Sequence, residues 1–320
     1  MKRRQLTVFL VAGLVPAASL AQTAAPRRIG VLIDGSAPHL LPGALQRDLA
    51  ALGFTEGRDI VFDVRYADGQ RDRANQLAAE LVRGSADIIV AHFTPAVRAA
   101  MEATRTIPII MAPAGAPVET GLVASLSKPG GNVTGVTNMA AELGGRRLQL
   151  LKDMLPALDC VAVLASTQDP FTKPFLSYMQ EAAKGGGLRL EPAMAEGPAD
   201  FERAFAAMVA AGAGAVVIQG VFNTQRARIL DLVARHRLPT MWFDRQAVLA
   251  GGLVSLSANT ADIHKRAASM TAKVLKGAKP ADLPVEQPSV FELVVNLTAA
   301  RAMQLSVPQA VLTQADEILE

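Results

Sequence analysis

Four histidines, one cysteine and one glycine-dense stretch are where chemistry would first be sought in this 320-residue sequence. His39, His92, His236 and His264 are scattered, no carboxylate stands at metal-ligand spacing from them and no H-E-x-x-H pair occurs, so no metal site is expected. Cys160 sits in the apolar run "CVAVLA" and reads as a buried structural thiol without a disulfide partner. The stretch "SLSKPGGNVTGVT", residues 125–137, has the spacing G-G-x-x-x-G rather than G-x-G-x-x-G, and it does not run from a strand into a helix. No G-x-x-x-x-G-K-[ST] loop and no G-x-S-x-G elbow exist, so neither a nucleotide cofactor nor a serine nucleophile is expected.

Polar residues that immediately follow short apolar runs remain, and their placement depends on the elements around them. Runs at 28–34, 59–65, 86–91, 108–112, 159–165, 188–191, 214–219 and 239–243 read as strands. Between and after them, segments of helical period lie at 41–52, 71–83, 95–104, 140–154, 173–185, 200–211, 224–236 and 260–276. Alternating apolar strands and helices predict an α/β fold of parallel sheets covered on both faces. Small molecules bind such sheets at the carboxyl ends of the strands. That rule selects Ser36, Thr94, Asp169, Phe171, Phe222, Asn223 and Asp244 as ligand contacts, with Thr94 also an N-cap ahead of Pro95. His92 falls at the same edge, and His236 at a helix C-terminus.

Half of the residues are apolar and 19% are charged, the composition of a globular chain. The first 21 residues, "MKRRQLTVFLVAGLVPAASLA", have a basic start, an apolar run and small residues before Gln22, which reads as a signal peptide. The twin arginine Arg3-Arg4 also fits twin-arginine export, and Gln22 in place of cysteine gives no support to a lipid anchor. A periplasmic location is therefore expected. The three basic residues of the leader account for the whole net charge of +3, and no basic stripe interleaved with aromatics follows, which excludes nucleic acid as a partner.

The strand-helix pattern restarts once, at about residue 138, giving two doubly wound lobes rather than one large sheet. Lobe one is expected over 27–137 plus 254–285 and lobe two over 138–253 plus 286–320, with helix 260–276 packed on lobe one and "FELVVNL" a strand. Gly130, Gly131 and Gly135 then stand where one lobe hands over to the other, and are expected to act as the hinge.

The segments "LGFTEGRDIVFDVRYADGQRDRANQLAAELVRGSADIIVAHFTPAVRAA", "GLVASLSKPGGNVTGVT", "RARILDLVARHRLPTMW", "AGGLVSLSAN" and "KGAKPADLPVEQPSVFELVVNLTAAR" occur in this order across nearly the whole mature chain. Together they resemble the ABC-transporter substrate-binding proteins that include the tryptophan- and tyrosine-type binding proteins. The resemblance implies a type I periplasmic-binding fold whose two lobes, joined by three crossovers, close on a small molecule. It also implies delivery of that molecule to a membrane permease driven by an ATPase, with no cofactor, no catalysis, membrane contact only through the permease and action as a monomer. The family's loops fall on Ser36, on Phe93 and Thr94, and on Ala114 to Val118, which adds Phe93 and Ala116 to the ligand contacts. Where family members commonly read Asp-Pro-Val, this chain has Ala116-Pro117-Val118, so an acidic partner for a ligand ammonium is missing there and Asp169 or Asp244 would have to substitute. A similar departure falls at Ser255-Leu256-Ser257, where the family commonly has a Ser-Tyr-Gly-like turn. An extracytoplasmic sensor for a membrane signalling partner shares these features, and an enzyme on the same scaffold is the third reading.

Overall fold

A computed structural model describes residues 25–320; the expected leader, 1–21, lies outside them. The first half builds β1 (Arg27–Ile33), α1 (Leu40–Ala51), β2 (Ile60–Tyr66), α2 (Arg71–Arg83), β3 (Ile88–His92), α3 (Phe93–Ala103), β4 (Ile109–Ala114) and β5 (Val133–Thr137). These strands form one parallel sheet in the order β2-β1-β3-β4-β5. The second half adds α4 (Gly144–Met154), β6 (Cys160–Ser166), α5 (Thr172–Gly185), β7 (Arg189–Ala195), α6 (Phe201–Ala210), β8 (Ala215–Ile218), α7 (Arg226–His236), β9 (Thr240–Trp242), α8 (Arg245–Leu249) and β10 (Val254–Ala258). After α9 (Thr260–Leu275) come β11 (Phe291–Asn296), α10 (Leu297–Ala302), α11 (Gln309–Leu312) and β12 (Glu317–Leu319). The second sheet runs β12-β11-β10-β9-β8-β6-β7, antiparallel only between β10 and β11. This is the expected two-lobe α/β architecture.

Strands such as β3 and β6 are buried along their whole length because both faces are covered, which is why they read as unbroken apolar runs. In lobe one, α1 and α9 press Leu41, Leu45, Ile263 and Ala267 against Val31, Val90 and Ile110 on one face. Ala74, Ala78 and Leu81 of α2 and Val97 of α3 cover Leu32, Ile89 and Met111 on the other. In lobe two, Leu148, Leu151, Phe175 and Met179 cover one face, and Phe205, Leu232 and Trp242 belong to the core on the other. Buried side chains of this size contribute about 1.5–3 kcal/mol each, so every lobe has its own core.

Three segments join the lobes, at 138–143, at 258–260 and at 286–291. The second lies later than the expected boundary at 254, because β10 pairs with β9 and β11 and places Val254 and Leu256 in the core of lobe two. The chain crosses only after Ala258, and α9 then packs on lobe one. Before the third crossing, Glu286 is still bridged to Val136 beside β5. Asn259 N–H donates to the Val290 carbonyl at 2.9 Å, so the second and third crossings run side by side.

The hinge expected at Gly130, Gly131 and Gly135 is displaced. Gly130 and Gly131 precede β5 and lie at the edge of the sheet away from lobe two, whereas the crossing follows Thr137. A Cβ at Gly131 would meet open space. Gly135 sits inside β5 with φ +136°, and a Cβ there would come within 2.4 Å of the Met111 backbone, so glycine is required by close strand approach and not by rotation of the lobes.

Candidate functional site

The carboxyl ends of the two sheets face each other and enclose a cavity of about 400 Å³. The lobes touch around it. A Cβ at Gly35 of lobe one would stand 2.8 Å from Thr224 Cγ2 of lobe two, and one at Gly115 would stand 2.5 Å from the Phe171 ring. Phe93 of lobe one reaches Gly220 of lobe two in the same way. The cleft is therefore closed, with glycines where the lobes meet most tightly.

Lobe one supplies a wall of polar groups, of which the Asp34 carboxylate and His92 Nδ1 have no partner among the described residues. Asp34 follows β1 and is 3% exposed, and no donor among the described residues reaches its carboxylate. Burial, with the charge of Asp169 across the cleft, pushes its pKa up to about 7. His39 caps α1, its Nδ1 accepting the Leu41 N–H at 3.2 Å, which leaves the proton on Nε2. The His39 and His92 rings meet edge to face at 4.4 Å, and His264 on α9 is close enough to lower the pKa of His92 further. Burial holds His39 and His264 near 4 and His92 well below its ordinary value, so all three imidazoles are neutral at physiological pH. His92 Nδ1 is buried without a partner. No group of three or more His, Cys, Asp or Glu among the described residues could hold a metal ion. Phe93, next in the chain, has φ +69°, an unfavourable backbone for a bulky residue and of the kind found at ligand sites.

Most of the polar groups that lobe two presents are engaged; Asn223 Oδ1, like His92 Nδ1 of lobe one, is buried without a partner among the described residues. Asp169 Oδ1 accepts the Phe171 N–H at 2.9 Å and Oδ2 accepts from Gln219 Nε2 at 2.9 Å. Gln219 Oε1 in turn accepts the Ser166 N–H at 2.7 Å. Burial raises the Asp169 pKa to about 6 against these two hydrogen bonds. Asp244 caps α8 by accepting the Ala247 N–H at 2.9 Å. Arg147 on α4 is 1% exposed and lies with its guanidinium carbon 3.8 Å from the centre of the Phe243 ring.

Of the residues selected from sequence, Ser36, Phe93, Asn223 and Asp244 line the main cavity. Thr94, Asp169 and Phe171 line a small adjoining cavity of about 20 Å³ that shares Phe93 and Phe243 with it. Thr94 is not an N-cap: α3 already begins at Phe93, and the Thr94 hydroxyl accepts the Gly115 N–H at 3.2 Å. Ala116 is buried in the apolar cluster that includes Phe171 and lines neither cavity. Phe222 turns into the core against Phe201 at 5.2 Å, because its place in a tight turn after β8 directs it under α6 and not into the cleft.

Asp34, His39, Phe243, Arg147 and His264 also line the cavity, and the strand-end rule does not reach them. Asp34 and Phe243 read from the sequence as the last residues of strands. Arg147 carries a different signal: it shares a helix stripe with the buried Leu143, Leu151 and Met154, an anomalous position for a charge.

A model of the family described as ABC transporter substrate binding protein matches residues 28–319. The tyrosine-binding protein of Clostridioides difficile is 26% identical over 79% of this chain and 73% of its own length. An ABC domain from Streptococcus pneumoniae in complex with L-Trp superposes with a TM-score of 0.86 at 26% identity, covering 92% of this chain and 100% of that one. A conserved domain protein from Vibrio cholerae gives 0.85 at 26% identity, covering 91% and 99%. With a match across both lobes and a cavity closed between them, this chain belongs to the ABC transporter substrate-binding protein family, whose members bind solutes and are not enzymes.

Proposed function

We propose that the chain is exported to the periplasm, captures a small aromatic carboxylate or aromatic amino acid between its lobes as a monomer, and presents it to a membrane permease driven by an ATPase. The observation that carries this reading is the cavity itself. It falls within the size range of small-molecule sites, Phe93 and Phe243 contribute aromatic surface from opposite lobes, and polar groups converge between them. Relatives named for tyrosine binding and solved with L-Trp support the aromatic part. Closure then stores ligand binding energy as contact between lobes, a population shift set by the ligand's preference for the closed form.

Thermal-shift screening of the purified protein against amino acids, aromatic acids and other carboxylates tests the ligand class. A rise in Tm confined to aromatic acids is expected, and a protein that no such compound stabilises would remove the aromatic assignment. Loss of uptake of the identified solute in cells lacking the chain tests delivery to a permease.

A further inference from the structure

Arg147 is the one guanidinium in the cavity wall that is almost wholly buried, and its hydrogen bonds among the described residues go to backbone carbonyls and not to a carboxylate. Its Nε donates to the Leu256 carbonyl at 2.9 Å and its Nη1 to the Ala140 carbonyl at 2.6 Å. Ala140 belongs to the first crossing between the lobes, and Leu256 lies just before the second. Both acceptors are neutral, as is the Phe243 face beneath the guanidinium, and Nη2 donates to no acceptor among the described residues.

A buried charge without an opposite charge is unfavourable, and a neutral donor such as Gln could hold two backbone carbonyls without that cost. The charge is therefore unexplained by the fold alone. Burial lowers the pKa of Arg147 to about 9, with the exposed Glu142 opposing the shift, so the side chain remains cationic at neutral pH. Other cavity-lining cations are differently placed: Arg226 is half-buried at the rim and uses Nη1 on the Asn223 carbonyl.

We infer that Arg147 is the anion-receiving group of the site, holding a carboxylate of the ligand through its free Nη2 edge while its other nitrogens grip the two crossings. This deepens the proposed function and rests on it. A ligand anion placed there supplies the missing counter-charge at the point where the lobes are joined. Charge-assisted hydrogen bonds of this kind are the strong ones, and the planar guanidinium fits a carboxylate better than an ammonium does.

Calorimetric titration of acid and amide pairs tests the assignment: L-tryptophan with L-tryptophanamide, L-tyrosine with L-tyrosinamide, and benzoate with benzamide. Within each pair the charged carboxylate is replaced by a neutral amide of nearly the same size, in which an NH2 donor stands in for one oxygen acceptor. The wild-type protein is expected to bind an acid about 100-fold more tightly than its amide. Arg147→Gln should weaken the acid far more than the amide and bring the acid-to-amide affinity ratio close to one, with Arg147→Lys in between. Equal binding of acid and amide by the wild type overturns the assignment, as does equal weakening of both in Arg147→Gln, the signature of a purely structural pin. Circular dichroism and thermal unfolding establish that the variants fold, and the wild-type comparison decides the matter even if they do not.

Native mass spectrometry of ligand carried through purification separates this inference from the reading beneath it. An anionic but non-aromatic ligand would overturn the aromatic class and uphold Arg147. A ligand without an acidic group would overturn Arg147 and leave solute binding standing. A protein that carries nothing and binds no compound of the panel would overturn both.

Discussion

The two walls of the cavity are built on opposite plans. In lobe two, Asp169, Gln219 and Asp244 are each tied to backbone N–H groups or to one another, which leaves Asn223 Oδ1 and the Nη2 edge of Arg147 as unpartnered polar atoms of that wall among the described residues. In lobe one, Asp34 and His92 Nδ1 are buried and idle, and Phe93 holds a strained backbone. Buried polar groups normally have partners, so a wall of unpartnered ones is a wall that a ligand completes. The difference separates stability from recognition: changes to Asp169, Gln219 and Asp244 should cost folding energy, whereas changes to Asp34 and its neighbours, or to the free edge of Arg147 in lobe two, should alter what the cleft accepts.

The largest effect on stability should come from breaking the engaged wall at Gln219. Replacement by Leu leaves the Ser166 N–H and one oxygen of Asp169 buried without their partners. At about 1–3 kcal/mol for each unsatisfied group, the loss should be about 4 kcal/mol by urea unfolding. A loss below about 1 kcal/mol would show that this wall is no better tied than the other.

Asp34→Asn acts on the idle wall and should have the opposite sign. The folded pKa near 7 lies above the ordinary 3.8, so the folded state binds a proton that the unfolded chain releases between those values. Stability from this group is therefore full below about pH 4 and declines as pH rises toward 7. Asn removes that decline. The variant should match the wild type at pH 4 and exceed it by about 2 kcal/mol at pH 8, compared by denaturant titration at both pH values. Asp169, raised to about 6, keeps a decline of the same sign in the variant, over the narrower range between about pH 4 and pH 6. A ligand carrying an ammonium group should lose affinity in Asp34→Asn, since among the described residues no donor reaches this carboxylate, whereas Asp169 and Asp244 are engaged.

The histidines give a smaller effect in the other direction. Their folded pKa values are depressed, so the unfolded chain gains protons first as pH falls through 6.5, and stability drops toward the folded values near 4. His39→Asn keeps a strong helix cap for the Leu41 N–H and removes one imidazole from the cluster. The loss of stability between pH 7 and pH 5 should shrink by about 1 kcal/mol. An unchanged pH profile would mean that the three rings do not act as a group.

How much of this was legible in the sequence follows the same division. Periodicity revealed the strands buried on both faces and the helices between them, because the hydrophobic pattern that folds them is local. The strand-end rule reached Ser36, Asn223 and Asp244, which line the cavity, but it stopped one residue short at Asp34 by assigning it to the strand. Phe222 and Ala116 satisfied the same rule and are turned into cores, since a residue's place after a strand does not determine its direction in a turn. The meeting of His39, His92 and His264 comes from α9 returning to lobe one, a contact across more than 150 residues that no local spacing carries. Gly130 and Gly131 misled for a related reason: glycine density marks where the backbone turns, and here it turns at the edge of the sheet farthest from the cleft.

The smallest effect tests whether contact between the lobes outside the cavity matters. Tyr178 on α5 donates its hydroxyl to Glu119 Oε1 at 3.3 Å, linking lobe two to the loop between β4 and β5 of lobe one on the protein surface. The charge of Glu119 raises the tyrosine pKa, so the hydroxyl stays protonated across the neutral range and the link does not switch there. Both side chains are exposed, and water replaces either partner readily. Tyr178→Phe should change stability by less than about 0.5 kcal/mol and ligand affinity by less than about twofold, because closure is held by the groups inside the cleft. A tenfold loss of affinity in this variant would move part of the closing energy from the two walls to the surface and blur the contrast between them.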